Sequence, residues 1–338
     1  MFSRRILLYG VAALALFALA VTAGKGGKPK PPPEPPPPDP AILYVVHEVV
    51  HGAHDYQLWV MNDDGSNQTP LISVATHGVH CLGPSWAPDN GRIAFCSPSP
   101  EGFWQIYVAD LDTTNGIEAV NIRAIYRNPE SGYQAGGPVW SPDGEWIFFH
   151  SLVQDAGSSG YAHDLFATRS DGSGEAVQLT STPGREEWKP SIDPAGTFLV
   201  YGSRQPLYKG TLGTDENGSP VITDEVCLTD AGPLAGLECV GTRIDATGTR
   251  VATSAGGDEW IIPLETPYEP WTVPLSVYRF ASWHDNSTLV YVISIDKPRQ
   301  THIAKGDIAT GDEAILATMK GRHGNFAGGP AARWPSGP

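Results

Sequence analysis

The stretch G-P-V-W-S-P-D-G-E-W-I-F-F, residues 137–149, joins a Trp-x-Pro turn directly to an apolar strand. In such a turn proline sets φ, aspartate bonds to its own backbone two residues on, and glycine supplies a positive φ. The same pattern occurs earlier as G-P-S-W-A-P-D-N-G-R-I-A-F, residues 83–95. A turn repeated in this way before a strand indicates an internal structural repeat. We therefore interpret Asp143 as a turn residue and not as a catalytic acid.

Aligning the chain on this turn gives six equivalent positions, called anchors here, at intervals of 39 to 54 residues. The anchors are Trp86, Trp140, Ile192, Ile244, Trp283 and Trp334. An apolar strand follows each of the first five, and in most copies a second strand follows that one and ends in a polar turn. Four short strands in a repeat of about 50 residues are typical of a propeller blade. The sequence thus predicts an all-β chain whose residues 41–338 form a six-bladed β-propeller, with the anchors packed between neighbouring sheets.

The two ends of this region carry complementary halves of the repeat. The strand A-I-L-Y-V-V at 41–46 has no Trp-x-Pro turn before it, and R-W-P-S-G-P at 333–338 is a turn without a following strand. We therefore expect the strand at 42–46 to pair with the segment at 330–338 and to complete the sixth blade. Such pairing closes the ring and leaves no long open sheet edge.

The first forty residues have the composition of an export segment and a linker. Two arginines precede an apolar run that ends at Ala23, which predicts a signal peptide over residues 1–23. An uncleaved membrane anchor is the alternative, because the run of 18 apolar residues is close to the length of a membrane span. Residues 24–40 predict a proline-rich polyproline II spacer, with a recognition motif as the alternative. We expect the protein to be periplasmic or extracellular.

The net charge limits the kinds of partner that the protein can bind, and the cysteine content indicates its compartment. The formal net charge is −15 and residues 41–338 contain no basic stretch, which argues against nucleic-acid binding. Four cysteines fit an oxidising compartment, and among three possible pairings we favour disulfides 81–96 and 227–239. We expect a monomer that contacts a membrane only if the N-terminal segment is retained.

The motif W-S-P-D-G before an apolar strand, together with L-W-V-M-N-D-D-G-S-N-Q-T-P-L at 58–71, resembles the WD-like propeller repeat of the TolB family. The resemblance covers residues 41–338 and implies a six-bladed propeller, in agreement with the repeat count. TolB itself is a periplasmic component of the Tol–Pal envelope system and carries an α/β domain before its propeller. We expect no counterpart of that domain here, so the resemblance implies a TolB-like propeller and not the Tol–Pal role.

Loops that lead into the innermost strands of a propeller converge on one mouth of its channel. Counting back six positions from the six anchors gives four polar residues, and these, with a histidine that precedes the last anchor, are our candidate ligand-binding residues: His80, Gln134, Glu186, Glu238 and His323. Histidines and carboxylates that converge on one axis are also ligands for a divalent metal. A metal at the mouth is therefore a hypothesis, although polar residues are expected at a wet channel mouth without any ligand. A second histidine group, His47, His51 and His54, is interpreted as a surface loop.

Two functions remain open at this point. The favoured one is an exported binding module for a protein, a peptide or a glycan, because the chain has a repeat architecture and no catalytic signature. The alternative is a metal-assisted carbohydrate lyase or hydrolase whose site lies at the channel mouth. We assign no catalytic residue, and the chain contains no G-x-S-x-G motif.

Overall fold

The computed structural model describes residues 42–50, 52–99, 101–128, 134–154, 160–202, 206–277, 279–296, 299–320 and 325–332. The predicted signal peptide 1–23 and the predicted spacer 24–40 lie outside these ranges, as do His51, His323 and Trp334. Within these ranges, no helix has the length and apolar character that crossing a membrane requires.

The described residues form twenty-four strands, one short α-helix and one 3-10 helix. The strands are β1 (Ile42–Val50), β2 (Ala53–Met61), β3 (Thr69–Ile72), β4 (Leu82–Trp86), β5 (Arg92–Pro98), β6 (Trp104–Asp112), β7 (Glu118–Tyr126), β8 (Ala135–Trp140), β9 (Trp146–Gln154), β10 (Tyr161–Arg169), β11 (Val177–Gln178), β12 (Ser191–Ile192), β13 (Phe198–Tyr201), β14 (Tyr208–Thr214), β15 (Pro220–Cys227), β16 (Cys239–Ile244), β17 (Arg250–Ala255), β18 (Asp258–Pro263), β19 (Trp271–Thr272), β20 (Arg279–Trp283), β21 (Thr288–Asp296), β22 (Arg299–Asp307), β23 (Glu313–Lys320) and β24 (Asn325–Ala332). The α-helix α1 is Val74–His77 and the 3-10 helix is Gly232–Leu234.

These strands form six antiparallel four-stranded sheets, which confirms the predicted six-bladed β-propeller. Blade 1 has the order β24-β1-β2-β3, and blades 2 to 6 each use four consecutive strands, from β4–β7 to β20–β23. The innermost strands are therefore β24, β4, β8, β12, β16 and β20. Their N-terminal ends lie at one end of the channel, which we call the mouth.

Each of the five anchors that the structure describes ends an innermost strand, for example Trp86 in β4 and Trp140 in β8. The turn that follows has the expected chemistry. In blade 3 the Asp143 carboxylate accepts the backbone N–H of Glu145 at 2.9 Å, and Gly144 has φ +72°. Asp143 is a turn residue, as predicted.

The core is divided into six hydrophobic clusters, each between two successive blades. Trp86 packs with Leu43 and Val45 of blade 1 as well as with Phe95 of its own blade. The cluster between blades 6 and 1 contains Tyr44 together with side chains of β21 and β22. Burial between sheets, which is the main source of stability in such a fold, therefore continues around the ring from blade 1 through blade 6 and back.

Blade 1 combines both ends of the described chain. Strand β1 pairs antiparallel with β24, with Ile42 opposite Ala332 and His47 opposite Asn325. The sequence predicts the C-terminal partner at 330–338, whereas the pairing strand begins at Asn325, because the innermost strand precedes its anchor, as in the five blades whose anchors the structure describes. Residues 333–338 lie outside the described residues.

The four cysteines are free thiols, so the structure does not contain the predicted disulfides 81–96 and 227–239. The residue opposite Cys96 in the β4–β5 ladder is Leu82, one position past Cys81, and successive residues of a strand point to opposite faces. The Cys96 thiol instead donates to the Leu82 carbonyl at 3.1 Å. Burial raises the pKa of Cys96 to about 12 and that of Cys239 to about 11, so these thiols are un-ionised at neutral pH.

Candidate functional site

A cavity of ≈ 390 Å³ lies in the channel near its mouth, between the innermost strands. Its wall includes Gly83 of blade 2, Gln134 before blade 3, Lys189 before blade 4, Arg243 of blade 5 and Ala281 of blade 6. A second cavity of ≈ 140 Å³ lies among the anchors and their flanking residues, and Arg243 lines both cavities. The arrangement of the repeat thus brings side chains that are distant in sequence onto one axis.

Three residues before the anchor, the innermost strands of several blades contain a bulge with positive φ. Three of these positions are glycines, Gly83 (φ +56°), Gly137 (φ +60°) and Gly241 (φ +76°), and glycine adopts this conformation without steric cost. In blade 4 the equivalent residue is Lys189, with φ +48°. A lysine in the left-handed region is strained by roughly 1–2 kcal/mol. Lys189 therefore occupies a site where the repeat otherwise uses glycine.

The backbone of Lys189 is held from both sides. Its N–H donates to Nδ1 of His150 at 3.3 Å, and its carbonyl accepts the hydroxyl of Thr242 at 2.5 Å. Burial lowers the pKa of His150 well below its usual range, with further lowering by His163 and Lys189, so this imidazole is neutral and able to accept. The His150 ring in turn lies parallel to the Trp188 ring, with centroids 5.3 Å apart. These contacts fix the strained conformation.

Arg243 is the second cation of the cavity. Its Nη1 donates to the Thr242 carbonyl at 2.7 Å, and its own carbonyl accepts the Trp283 indole N–H at 2.8 Å. Desolvation lowers the pKa of Arg243, and no carboxylate among the described residues forms an ion pair with it. Part of the residue still faces open space, because it lines both cavities.

One acidic side chain, Glu259 of β18, lies in the same wall. It is 3% exposed, and its Oε2 accepts the hydroxyl of Ser254 at 2.5 Å. Burial raises the pKa of Glu259 to about 7, against the opposing effect of the Ser254 hydrogen bond. The cavity is therefore lined by two cations and one carboxyl group that titrates near neutral pH.

The residues predicted from the sequence do not form one cluster. Gln134 lines the cavity, whereas Glu238, the residue that precedes β16, is exposed. Glu186 accepts the Trp188 indole N–H at 2.5 Å and bonds to Nδ1 of His163 at 2.8 Å, so its carboxylate is engaged within blade 3 and the loop after it. His323 lies outside the described residues.

His80 belongs to a different group, which it forms with residues of strand β2 in blade 1. Its Nδ1 accepts the backbone N–H of Tyr56 at 3.3 Å and lies 4.0 Å from an oxygen of Asp55. His47 and His54, predicted as a surface loop, instead lie on the paired strands β1 and β2 with their rings stacked 5.0 Å apart. In the part of the chain that the structure describes, no group of three or more His, Cys, Asp or Glu side chains is arranged to hold a metal ion.

Sequence reasoning missed Lys189, Arg243 and Glu259. A signal for the first was present: the position three residues before the anchor is glycine in blades 2, 3 and 5 and lysine in blade 4. The prediction counted back six positions, into the loops, whereas the cavity is lined mainly by residues of the strands. Glu259 lies on β18, in the hairpin that β17 and β18 form, and no pattern in the sequence places it at the channel.

Comparison with known proteins agrees with this architecture. No protein-family model matches the chain. The Tol–Pal system protein TolB of Alcanivorax borkumensis is 33% identical over 106 residues, which are 31% of this chain and only 21% of that protein. The crystal structure of TolB from Acinetobacter baumannii superposes with a TM-score of 0.63 at 19% identity, over 87% of this chain and 66% of that chain. A chain of the nidogen–laminin complex superposes with a TM-score of 0.60 at 12% identity, over 86% of this chain and 98% of that chain.

The sequence match to TolB thus covers about a third of the chain, and the structural matches, at low identity, establish the fold alone. The chain is similar to TolB-like six-bladed propellers in sequence and in fold, as its repeat predicted.

Proposed function

We propose that this chain is an exported binding module of the cell envelope that takes a protein or peptide partner, or a glycan, at the mouth of its propeller channel. The observation that carries this proposal is the cavity of ≈ 390 Å³, whose wall combines residues of blades 2, 3, 5 and 6 with the segment before blade 4. This volume is in the usual range of ligand pockets. A single ligand there contacts five repeats at once.

Exposed apolar side chains around the mouth favour a protein partner over a glycan. Tyr161 is 58% exposed at the start of β10, and Val240 is 40% exposed where β16 enters the cavity wall. Tyrosine is enriched at protein interfaces, since it combines a large apolar area with one polar atom. Val74 of α1 adds a third exposed apolar side chain in the loop that leads to blade 2.

The envelope location is supported by the relative in Alcanivorax, which is a Tol–Pal system protein. Export depends on residues 1–23, and a reporter protein fused after residue 40 tests it directly. Activity of a reporter that folds only outside the cytoplasm supports export. An inactive reporter that accumulates in the cytoplasm contradicts export.

Site-specific photo-crosslinking in the native host tests binding at the mouth. A photoreactive p-benzoylphenylalanine replaces Tyr161 or Val240, and the matched control carries it at Ile315, which is 52% exposed on the outer strand β23. We expect a discrete crosslinked protein band from the two mouth positions and none from the control. Equal labelling at all three positions, or no band from the mouth, contradicts a protein partner at this face.

For the alternative function, a metal-assisted enzyme, the described residues provide no supporting observation. Of its predicted ligands, His80 and Glu186 are each hydrogen-bonded to neighbours in separate groups.

A further inference from the structure

We propose that the channel cavity is an anion site that binds a carboxylate group, with Arg243 and Lys189 as its cationic groups. This site goes beyond the proposed function, because it stands whether or not a protein docks on the surrounding face. The carboxylate belongs either to a free small organic acid or to an acidic side chain of a bound peptide. The chemistry is the same in both cases, and the test distinguishes the two sources.

The guanidinium group of Arg243 lacks a counter-ion among the described residues. A guanidinium has five N–H donors, and burying such a charge without a partner is costly. Among the described residues, only the Thr242 carbonyl accepts a hydrogen bond from this side chain. Five other arginines of the described residues form ion pairs with carboxylates, as in Arg250 with Asp245 at 2.8 Å. Arg243 is thus a desolvated cation that has no carboxylate partner among the described residues.

Lys189 lines the same cavity as Arg243, and its positive charge adds to the lowering of the pKa of His150, another residue of that wall. Glycine at this position, as in blades 2, 3 and 5, avoids the left-handed strain. Strained backbone of this kind tends to be retained where a side chain serves a function. The sequence thus places a strained cation beside an unpaired one.

The geometry and charge of the cavity wall favour a carboxylate over other anions. The planar fork of a guanidinium matches a carboxylate with two parallel hydrogen bonds. Glu259, with a pKa near 7, adds negative charge to the wall at and above neutral pH. That charge disfavours a dianion such as phosphate more strongly than a single carboxylate. The site therefore selects a group with one negative charge, held between Arg243 and Lys189.

Titration calorimetry on the exported protein, residues 24–338, tests the site with defined probes. Propionate, a monoanion, represents a free organic acid, and the peptide acetyl-Ala-Glu-Ala amide represents an acidic peptide with one carboxylate. Uncharged propionamide and inorganic phosphate serve as comparison ligands. We expect measurable binding of at least one carboxylate probe, weaker binding of phosphate, and none of propionamide.

The variants Arg243→Met and Lys189→Gly locate that binding. The Thr242 hydroxyl bonds to the Lys189 carbonyl and the Trp283 indole bonds to the Arg243 carbonyl, so both hydrogen bonds survive the loss of the Arg243 side chain. The variant loses only the bond from the Arg243 guanidinium to the Thr242 carbonyl. Lys189→Gly carries the residue that three other blades use. We expect either variant to weaken the carboxylate Kd by on the order of tenfold or more, since each removes a charge-assisted contact. Arg123→Ala, on the outer strand β7, should leave the Kd unchanged.

Binding of propionate assigns the site to a free acid, and binding of the glutamate peptide alone assigns it to a peptide side chain. No binding of either probe, or binding that persists in both Arg243→Met and Lys189→Gly, overturns the proposal. Phosphate that binds as tightly as the carboxylates overturns the assignment to that class. Circular dichroism of each variant confirms that a lost signal is not lost folding.

Discussion

The hydroxyl of Thr242 donates a hydrogen bond of 2.5 Å to the carbonyl oxygen of Lys189. Thr242 lies on the innermost strand of blade 5 and is fully buried, whereas Lys189 leads into the innermost strand of blade 4. The bond therefore joins two blades at the channel wall. It also holds in place the left-handed backbone of Lys189, a residue that lines the cavity.

Thr242→Val removes this bond while nearly conserving the side-chain volume. A buried carbonyl left without its partner costs about 1–3 kcal/mol, and we expect the free energy of unfolding to fall by about 2 kcal/mol. Thr242→Ser keeps the hydroxyl and serves as the control, with a smaller loss. Urea unfolding at 25 °C measures both. A valine variant as stable as the serine variant means that the bond contributes nothing.

Lys189 allows a test of the strain. Lys189→Gly relieves the left-handed strain but gives the unfolded chain more freedom, so we expect a free energy of unfolding within about 1 kcal/mol of the wild-type value. Lys189→Val places a β-branched residue at φ +48° and should lose about 2 kcal/mol relative to the glycine variant. Thermal and urea unfolding of the two variants give the comparison. Equal stability of Gly and Val at this position would falsify the assignment of strain.

Gly65 tests the contact that closes the ring. A Cβ added to Gly65 of blade 1 would clash with the backbone oxygen of Leu316 in blade 6, and the φ of Gly65 is +83°. Gly65→Ala must push the two blades apart, and we expect a loss of about 3 kcal/mol.

Gly78 provides the matched control for this substitution. It has a similar φ of +71° and no atom within 4 Å of an added Cβ. Gly78→Ala should lose only about 1 kcal/mol, which is the backbone term alone. If the two alanine variants unfold at the same urea concentration, blades 1 and 6 are not in close contact and the closure of the ring is wrong.

Glu259 makes stability depend on pH in a defined direction. The pKa of its carboxyl group rises from the ordinary value of 4.5 to about 7 in the folded protein, because burial disfavours the charged form. Between these values the folded state keeps a proton that the unfolded state has lost, so the free energy of unfolding decreases as pH rises through this window.

Glu259→Gln removes this dependence, since glutamine does not ionise. We expect the stability difference, variant minus wild type, to increase by about 2–3 kcal/mol from pH 5 to pH 8. Titrating histidines such as His150 are common to both proteins and cancel in the difference. Urea unfolding at several pH values provides the measurement, and a difference that stays constant with pH contradicts the buried position of the carboxyl group.

The predictions from sequence succeeded where local chemistry repeats. The Trp-x-Pro-Asp turn around Trp140 is written into consecutive residues, and each copy specifies the end of one strand and the start of the next. The blade count and the packing of the anchors between sheets followed from that spacing. The candidate site was predicted less well. Gln134 lines the cavity, but Glu186 is engaged by Trp188 and His163, contacts that depend on side-chain direction and not on position in the repeat.

The sequence by itself determined that the described part of the chain is a propeller, because turn residues and alternating apolar strands act locally and recur six times. Only the tertiary structure decided which side chains meet in the channel. Arg243 lies on β16 of blade 5, Lys189 in the segment before blade 4 and Glu259 on β18 of blade 5, and the packing of these neighbouring blades brings them to one cavity. The unpaired charge of Arg243 and the raised pKa of Glu259 arise from burial between the folded blades, which no local sequence pattern specifies.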